Sequence, residues 1–443
     1  MYYKFTILIC KFFYRIMKIL GKNGGTLPGN IALRLNKNIL KCFNIEGTVI
    51  AVTGTNGKTS TTNMISSILE NSGSVVISNR EGNNINTGIT SLLIKNCDLS
   101  GNVKCDYLVL EVDEHYVPVV FRDLKLDSFV VLNFFRDQLD RTGEVETLIQ
   151  KIDKFLENYT GNLILNSDDP NVSRLGFNKD KCNVYYYGVE KFKCATSSMR
   201  DRGEGKYCPF CSSRLEYDYY QYSHVGRFKC PSCDFGHNNI DSFVSDIDLN
   251  TGSFKYNCKS FETRYNTIYN MYNVSAAFML CSIYDVSSDI LFNSIKGFEL
   301  NNGRLESVVV NDSLTVLNLA KNPTGANVTI GYMNQDDDPK EMLFVLNDNI
   351  ADGKDVSWIW DINFSILNNV DRIITSGTRA YDMAVRIKNS GYDYKKIEVY
   401  PSIEEAVSNL YKTDLKKYVI FNYTAVNDTR GAVMNYKGDK NGL

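Results

Sequence analysis

Histidine and tryptophan are scarce in this chain, with three and two among 443 residues. Neither sign of charge is in excess, since Lys and Arg number 49 against 51 Asp and Glu, for a formal net charge of −2. A chain so balanced offers no general polyanion-binding surface, which argues against bulk nucleic-acid binding. Long apolar runs are missing too. Lys4, Lys11, Arg15 and Lys18 interrupt the apolar N-terminal stretch MYYKFTILICKFFYRIMKILGK. No span of about 20 apolar residues is left for a transmembrane helix, and no small-residue cleavage site follows for a signal peptide. What remains there is a basic amphipathic helix. It is read first as a helix packing on the next domain and second as a membrane-surface contact. The 12 cysteines are too thinly spread for a disulfide framework, so a reducing cytoplasm fits best. Internal repeats and low-complexity tracts are absent, and 43% hydrophobic residues suit two or three globular domains.

Against these absences stands TVIAVTGTNGKTSTT at 48–62. An apolar strand runs into a Gly-rich turn, and a helix follows. Backbone N–H groups of Gly54, Thr55, Asn56, Gly57 and Lys58 can point at a phosphate from the helix N-terminus, Ser60 closes the turn, Lys58 can reach the outer phosphates, and the Thr59 hydroxyl can hold Mg²⁺. The general pattern puts glycine five residues before Gly57; Val52 stands there, so this is the shorter GTNGKT form.

Strands then alternate with helices, as in a mostly parallel, doubly wound α/β sheet. Strands are expected at 74–78, 107–112, 128–132, 163–166 and 184–187, and a helix at 269–284. A second, smaller Rossmann-like α/β domain is expected from strands at 342–346, 372–375, 397–400 and 418–422. The expected domains are a helical segment at 1–46, a central ATPase domain at 47–302 with an insertion at 203–240, and a C-terminal domain at 303–443.

The strand CDYLVLEVDEH carries Glu111, with Asp113 and Glu114 at its exit. A carboxylate at the C-terminal edge of a strand beside a phosphate cradle is where ATP-bound Mg²⁺ needs a hard oxygen ligand. The competing reading is an edge-strand carboxylate facing solvent. His115 is read as a hydrogen-bonded structural residue ahead of a phosphate or metal contact.

Cys208 and Cys211, then Cys230 and Cys233, form two C-x2-C pairs separated by 18 residues. That spacing suits one tetrahedral Zn²⁺ held by four thiolates, a closed and therefore structural site in a small Tyr-rich insert. His224 and His237 could each replace a cysteine. Arg214, Arg227 and Lys229 nearby are an ordinary solvated face. With its histidine-flanked cysteines committed to metal, the chain lacks the Cys and His pair that would release ammonia from glutamine.

In order, GTNGKT, Glu111, RDQLDRTGE (136–144), LILNSDDP (163–170), YNMYNVSAA (269–277) and GRLE (303–306) resemble the central ATPase domain of the Mur ligases. These enzymes activate a carboxylate as an acyl phosphate, which an amine then attacks. The resemblance implies that Lys58 and Thr59 bind ATP phosphates and Mg²⁺, that Glu111 binds Mg²⁺, and that Asn270 or Asn273 and Arg304 contact the nucleotide. Three features depart from common members. About 50 residues precede the loop, too few for the usual UDP-gripping domain; Gln138 stands where DHLD has histidine; and the zinc insert is foreign.

One branch of the family fits all three, the synthetase subunits that amidate lipid II with a glutaminase of the GatD type. LAKNPTGAN (319–327) and LNDNIADGKDVSWIWD (346–361) also resemble that branch. It implies amidation of the D-glutamate α-carboxylate to D-isoglutamine at the inner membrane face, with ammonia from the partner. It also implies that a C-terminal aspartate completes the partner's catalytic pair. Asp352, Asp355 and Asp361 are candidates, and Asp355 is preferred. Trp358 and Trp360 are read as core or subunit-interface anchors at least as readily as substrate contacts. The alternatives are an amino-acid-adding ligase of the Mur or folylpolyglutamate type, and a zinc-ribbon ATPase acting on nucleic acid.

Overall fold

The computed structural model describes residues 2–436 except 20, 22–24, 81, 137–144, 194, 199–203, 239, 250, 265–266 and 299–303. The chain forms two compact units, the first gathering 1–135, 145–198 and 205–298, the second built from the chain after Phe298.

The first unit begins with helices α1 (Tyr2–Ile19) and α2 (Leu27–Leu35). Its sheet strands are β1 (Thr48–Thr53), β2 (Val76–Ser78), β3 (Tyr107–Glu111), β4 (Ser128–Val131), β5 (Asn162–Asn166) and β6 (Asn183–Val189). A two-stranded ribbon, β7 (Glu216–Tyr222) and β8 (Val225–Lys229), comes next, and β9 (Ser242–Asp248), β10 (Ser253–Tyr256) and β11 (Lys259–Glu262) rejoin the sheet. The nine-stranded order is β11-β10-β9-β6-β5-β4-β1-β3-β2, parallel from β9 to β2 and antiparallel at β10 and β11. Helices α3 (Lys58–Asn71), α4 (Asn86–Asn96), α5 (Val145–Leu156) and α6 (Ile268–Ile283) cover it.

The inner strands β1, β3, β4 and β5 are apolar through their middles because both sheet faces are covered there. Alternate residues enter opposite cores: Ala51, Leu108, Leu110, Phe129 and Val131 join the core that includes Ile7 and Cys10 of α1, while Ile50, Val52, Val109 and Val130 meet Met64 and Ile65 of α3 and Met271 and Val274 of α6. Helix α1 therefore does pack on the next domain through one face. The expected strands all form, with ends moved by a few residues; β2, for example, starts at Val76 rather than 74. Strands β9 to β11 were not foreseen, because their half-exposed, mixed sequences do not read as sheet core.

The second unit holds a six-stranded sheet made from β12 (Arg304–Val310), β13 (Ser313–Leu319), β14 (Lys340–Val345), β15 (Val370–Ser376), β16 (Ile397–Val399) and β17 (Lys416–Phe421). Its order is β12-β13-β17-β14-β15-β16, parallel except for the β12–β13 hairpin. Helices α7 (Pro323–Met333) and α8 (Ala380–Asn389) belong to this unit.

At one end of this sheet a charged cluster is buried. Lys417, with 0% side-chain exposure, places its Nζ 2.6 Å from Glu341 Oε2, and Arg372 Nε donates to Glu341 Oε1 at 3.0 Å. Glu341 thus answers two cations, and deleting it leaves a buried ammonium unpaired. Glu341→Ala is expected to destabilise the second unit by about 3–5 kcal/mol. Denaturant unfolding that matches the wild type would contradict that.

Candidate functional site

The cradle turn joins β1 to α3 at the middle of the sheet, where β1 is flanked by β3 and β4. Gly54 has φ +133° and Gly57 φ +91°, conformations that L side chains rarely adopt. Space excludes a side chain at Gly57 as well: a Cβ there would lie 2.3 Å from Asn273 Oδ1 of α6. Asn273 in turn donates from Nδ2 to Asn270 Oδ1 at 3.2 Å, so both α6 amides sit buried against the turn.

Asn133, just past β4, braces the turn from the other side. Its Oδ1 accepts from Asn56 N at 2.9 Å, its Nδ2 donates to Asn56 O at 2.9 Å, and its carbonyl accepts from Thr55 N at 2.9 Å. Thr55 Oγ1 adds a bond from Phe135 N at 2.9 Å. The buried Lys58 ammonium lies 2.5 Å from Gly54 O and 3.3 Å from both oxygens of Glu114, itself buried. Thr59 is half-buried beside it and Ser60 is buried at the start of α3.

Glu111 does not face solvent. Strand β3 lies between β1 and β2, so it is not an edge strand, and Glu111 is 3% exposed, paired in register with Val52. Asn79 clamps its backbone through two 2.8 Å hydrogen bonds, and Asn84 Nδ2 donates to Oε1 at 2.8 Å. Oε2 is buried with no protein partner, as are Asn270 Nδ2 and His115 Nε2. A buried polar atom without a partner is costly in a finished protein core. Thr55 N and Asn56 N, expected to face a phosphate, donate to Asn133 instead; the rest of the donor set fits a nucleotide with its cation, the remaining N–H groups of the turn and Lys58 for phosphate, the Thr59 hydroxyl and Glu111 Oε2 as hard oxygens for Mg²⁺. Arg304 lies on β12 with its side chain outside the described residues, as are residues 137–144 of RDQLDRTGE.

The four cysteines converge. Their sulfurs lie within 4.8 Å of one another, with Cys208 to Cys233 at 3.5 Å and Cys211 to Cys230 at 3.4 Å. Four thiolates around one Zn²⁺ stand about 3.8 Å apart, given Zn–S bonds of about 2.3 Å in a tetrahedron. Phe210 N lies 3.5 Å from Cys208 Sγ and Ser232 N lies 3.4 Å from Cys230 Sγ, one N–H contact in each C-x2-C turn. Among the described residues only Leu215, Phe228 and Phe235 back the cluster as a buried apolar core, too little to fold a ribbon alone.

His224 and His237 are not alternative ligands. Both reach two adjacent carboxylates at the end of β5: His237 Nε2 lies 2.6 Å from Asp168 Oδ1, and His224 Nε2 lies 3.3 Å from Asp169 Oδ1. Asp168 Oδ2 also accepts from Tyr272 of α6 at 2.6 Å, and Asp169 Oδ2 from Phe134 N at 3.0 Å. Burial pushes the Tyr272 phenol well above its ordinary pKa, so it remains a donor. Asp168 therefore ties the ribbon to the helix that carries Asn270 and Asn273. LILNSDDP contained this pair without disclosing its partners.

In the second unit, Asp352 is buried and bound to Thr424, accepting from its N at 2.9 Å and from its hydroxyl. Asp355 is half-buried, and its Oδ1 accepts from Ser357 N at 2.8 Å, which holds the carboxyl below the usual carboxylate range. Beside it Ile359, Trp360, Tyr381 and Val385 line a shallow depression, with Trp360 53% and Tyr381 66% exposed and Arg386 stacked 5.6 Å from the Trp360 ring. Trp358 packs on the core instead.

Sheet topology, cradle and carboxylate together define a P-loop ligase of the Mur type. Residues 52–281 match the Mur ligase middle domain and 319–426 the MurT ligase C-terminal domain. A pseudomurein peptide ligase type C from Methanothermus fervidus shares the fold (TM-score 0.69, 21% identity, 90% of this chain and 81% of that one), as does MurF ligase from Thermotoga maritima in complex with ADP (0.63, 15%, 92% and 82%). The MurT subunit of lipid II isoglutaminyl synthase (glutamine-hydrolyzing) from Staphylococcus aureus strain COL is 33% identical over 86% of both chains. Its counterpart from Streptococcus pneumoniae R6 is 30% identical over 94% of this chain and 93% of its own. The chain belongs to the MurT family of Mur ligases.

Gly57→Ala should weaken nucleotide binding about tenfold or more, since a non-glycine residue at positive φ costs about 1–2 kcal/mol before the contact with Asn273 is counted. Titration of a fluorescent ATP analogue with unchanged affinity would refute that packing. For the ribbon, Cys208→Ser or Cys230→Ser should lower bound zinc and solubility together. Full metal loss with an unchanged near-UV circular dichroism spectrum would count against a structural role.

Proposed function

We propose that this chain uses ATP to activate the α-carboxylate of D-glutamate in the lipid II stem peptide, and that ammonia then converts it to D-isoglutamine. The carboxylate oxygen attacks the γ-phosphorus of ATP, releasing ADP and forming an acyl phosphate. Ammonia adds to the acyl carbon, inorganic phosphate leaves, and a proton is lost from nitrogen. The observation behind this reading is the joining of a braced, buried Lys58 and an unpartnered Glu111 oxygen at the C-terminal ends of the adjacent strands β1 and β3, in a chain whose relatives are named for this synthesis. Lys58 binds and neutralises the phosphates, and Thr59 and Glu111 would hold Mg²⁺, which supplies charge neutralisation on the transferring group. Asn270 and Asn273 orient the nucleotide.

Ammonia would come from a GatD-type glutaminase at the second unit. Asp355, kept ionised by the Ser357 N–H, is suited to accept from the far nitrogen of a partner histidine and fix its tautomer. The exposed Trp360, Tyr381 and Val385 beside it are the kind of apolar anchors that a subunit interface buries. Because lipid II is membrane-linked, the work would be done at the inner face of the cytoplasmic membrane.

The test is amide formation by the chain copurified with its glutaminase, read alongside ADP release. Lys58→Ala should cut amidation about a hundredfold or more while leaving the complex intact. Asp355→Asn should abolish amidation driven by glutamine and spare that driven by added ammonia. Wild-type rates in Lys58→Ala, or ADP release uncoupled from amide, would sink the ligase reading. Full glutamine use in Asp355→Asn would remove that residue from its role.

A further inference from the structure

Helix α1 has two apolar faces. Thr6, Ile7 and Cys10 are buried against the first unit, where α1 packs on α2 and α4. On the other side Phe5 (60% exposed), Leu8 (51%), Phe12 (60%), Ile16 (36%) and Ile19 (83%) repeat at spacings of three and four, which is one continuous helical stripe. At 3.6 residues per turn, Lys4, Lys11, Arg15 and Lys18 fall together along one flank of it. The helix contains no acidic residue, and among the described residues none of the four cations forms an ion pair. A solvent-facing stripe of five large apolar side chains is unusual on a soluble surface and marks an interaction site.

We infer that α1 docks in the plane of an anionic lipid bilayer, its stripe among the acyl chains and its cations on the phosphates. The occupant must be apolar along the centre and anionic along one flank. A second α1 would bring four more cations and no acid, whereas an anionic headgroup layer over hydrocarbon matches both features. Spanning is a different matter, because no helix among the described residues is long and apolar enough to cross a membrane. The stripe stands on its own geometry; only its purpose, bringing the ligase to a lipid-linked substrate, rests on the proposed function.

Cosedimentation of the full chain with vesicles of phosphatidylcholine, or of phosphatidylcholine containing phosphatidylglycerol, tests this without nucleotide or substrate. The chain should bind the anionic vesicles and release at high salt. Leu8→Ser, Phe12→Ser and Ile16→Ser combined should abolish binding, while Arg15→Gln and Lys18→Gln should each weaken it about fivefold. These side chains are solvent-facing, so glutaminase pairing and amidation of a lipid-free stem peptide should stay at wild-type levels. A chain that ignores anionic vesicles, binds both kinds equally, or binds undiminished as the triple variant overturns the inference. So does self-association in light scattering that the triple variant removes while no vesicle is bound. Failure of amidation with vesicle binding intact would instead strike the proposed function alone.

Discussion

A turn that presents backbone N–H groups to a phosphate has few of them left to hold itself in place, and here only Thr55 N and Asn56 N are given to that task, both donating to Asn133. Everything around the GTNGKT turn answers that constraint. Glycine removes the steric bar to positive φ at two corners, but glycine also gives the unfolded chain more freedom to lose. Rigidity therefore has to come from outside the turn. Asn133 supplies it by closing a reciprocal pair with Asn56, and α6 supplies it by filling the space a Cβ would need at Gly57. Glu114 does the same for Lys58, fixing an ammonium that would otherwise sample many rotamers.

The insertion extends this bracing. A ribbon with a handful of buried apolar residues gathers four cysteines suited to one metal ion, and it transmits position through His237, Asp168 and Tyr272 to α6. Each oxygen of Asp168 is occupied, Oδ2 twice, by Tyr272 and by Val189 N. A carboxylate so fully bonded has little freedom to move, and α6 inherits that fixity. The cysteine ribbon thus braces the helix that carries Asn270 and Asn273, although its cysteines are far from that helix in sequence.

Local chemistry was readable and long-range bracing was not. The unbroken apolar strand before Gly54, the Gly-Lys-Thr ending and the two cysteine pairs are contiguous patterns, each constrained by the geometry of a single turn. Asn133 with Asn56, Asn79 with Glu111, Glu114 with Lys58 and Tyr272 with Asp168 are separated by 77, 32, 56 and 104 residues. Nothing in the residue types marks such pairs, because a buried Asn or Asp reads as loop polarity until its partner is located. His224 and His237 were open for the same reason: each could have replaced a cysteine, and only the structure shows their rings beside Asp169 and Asp168 just past β5. For Glu111 the ambiguity was topological, since one cannot tell an edge strand from an interior one before the strand order is known.

Helix α1 shows the same limit from the opposite side. Its apolar residues outnumber what one buried face requires, and periodicity alone does not say which stripe meets the protein. Packing on one side leaves the other whole, so the buried face does not compete with the surface contact proposed for the opposite one. The cations decide between them. Placed along the flank of the outward stripe, they would be desolvated without partners if that stripe were the one turned into the core, at a cost that a marginally stable fold does not absorb. Thr6, Ile7 and Cys10, smaller and uncharged, carry no such penalty and let α1 lie close on α2 and α4.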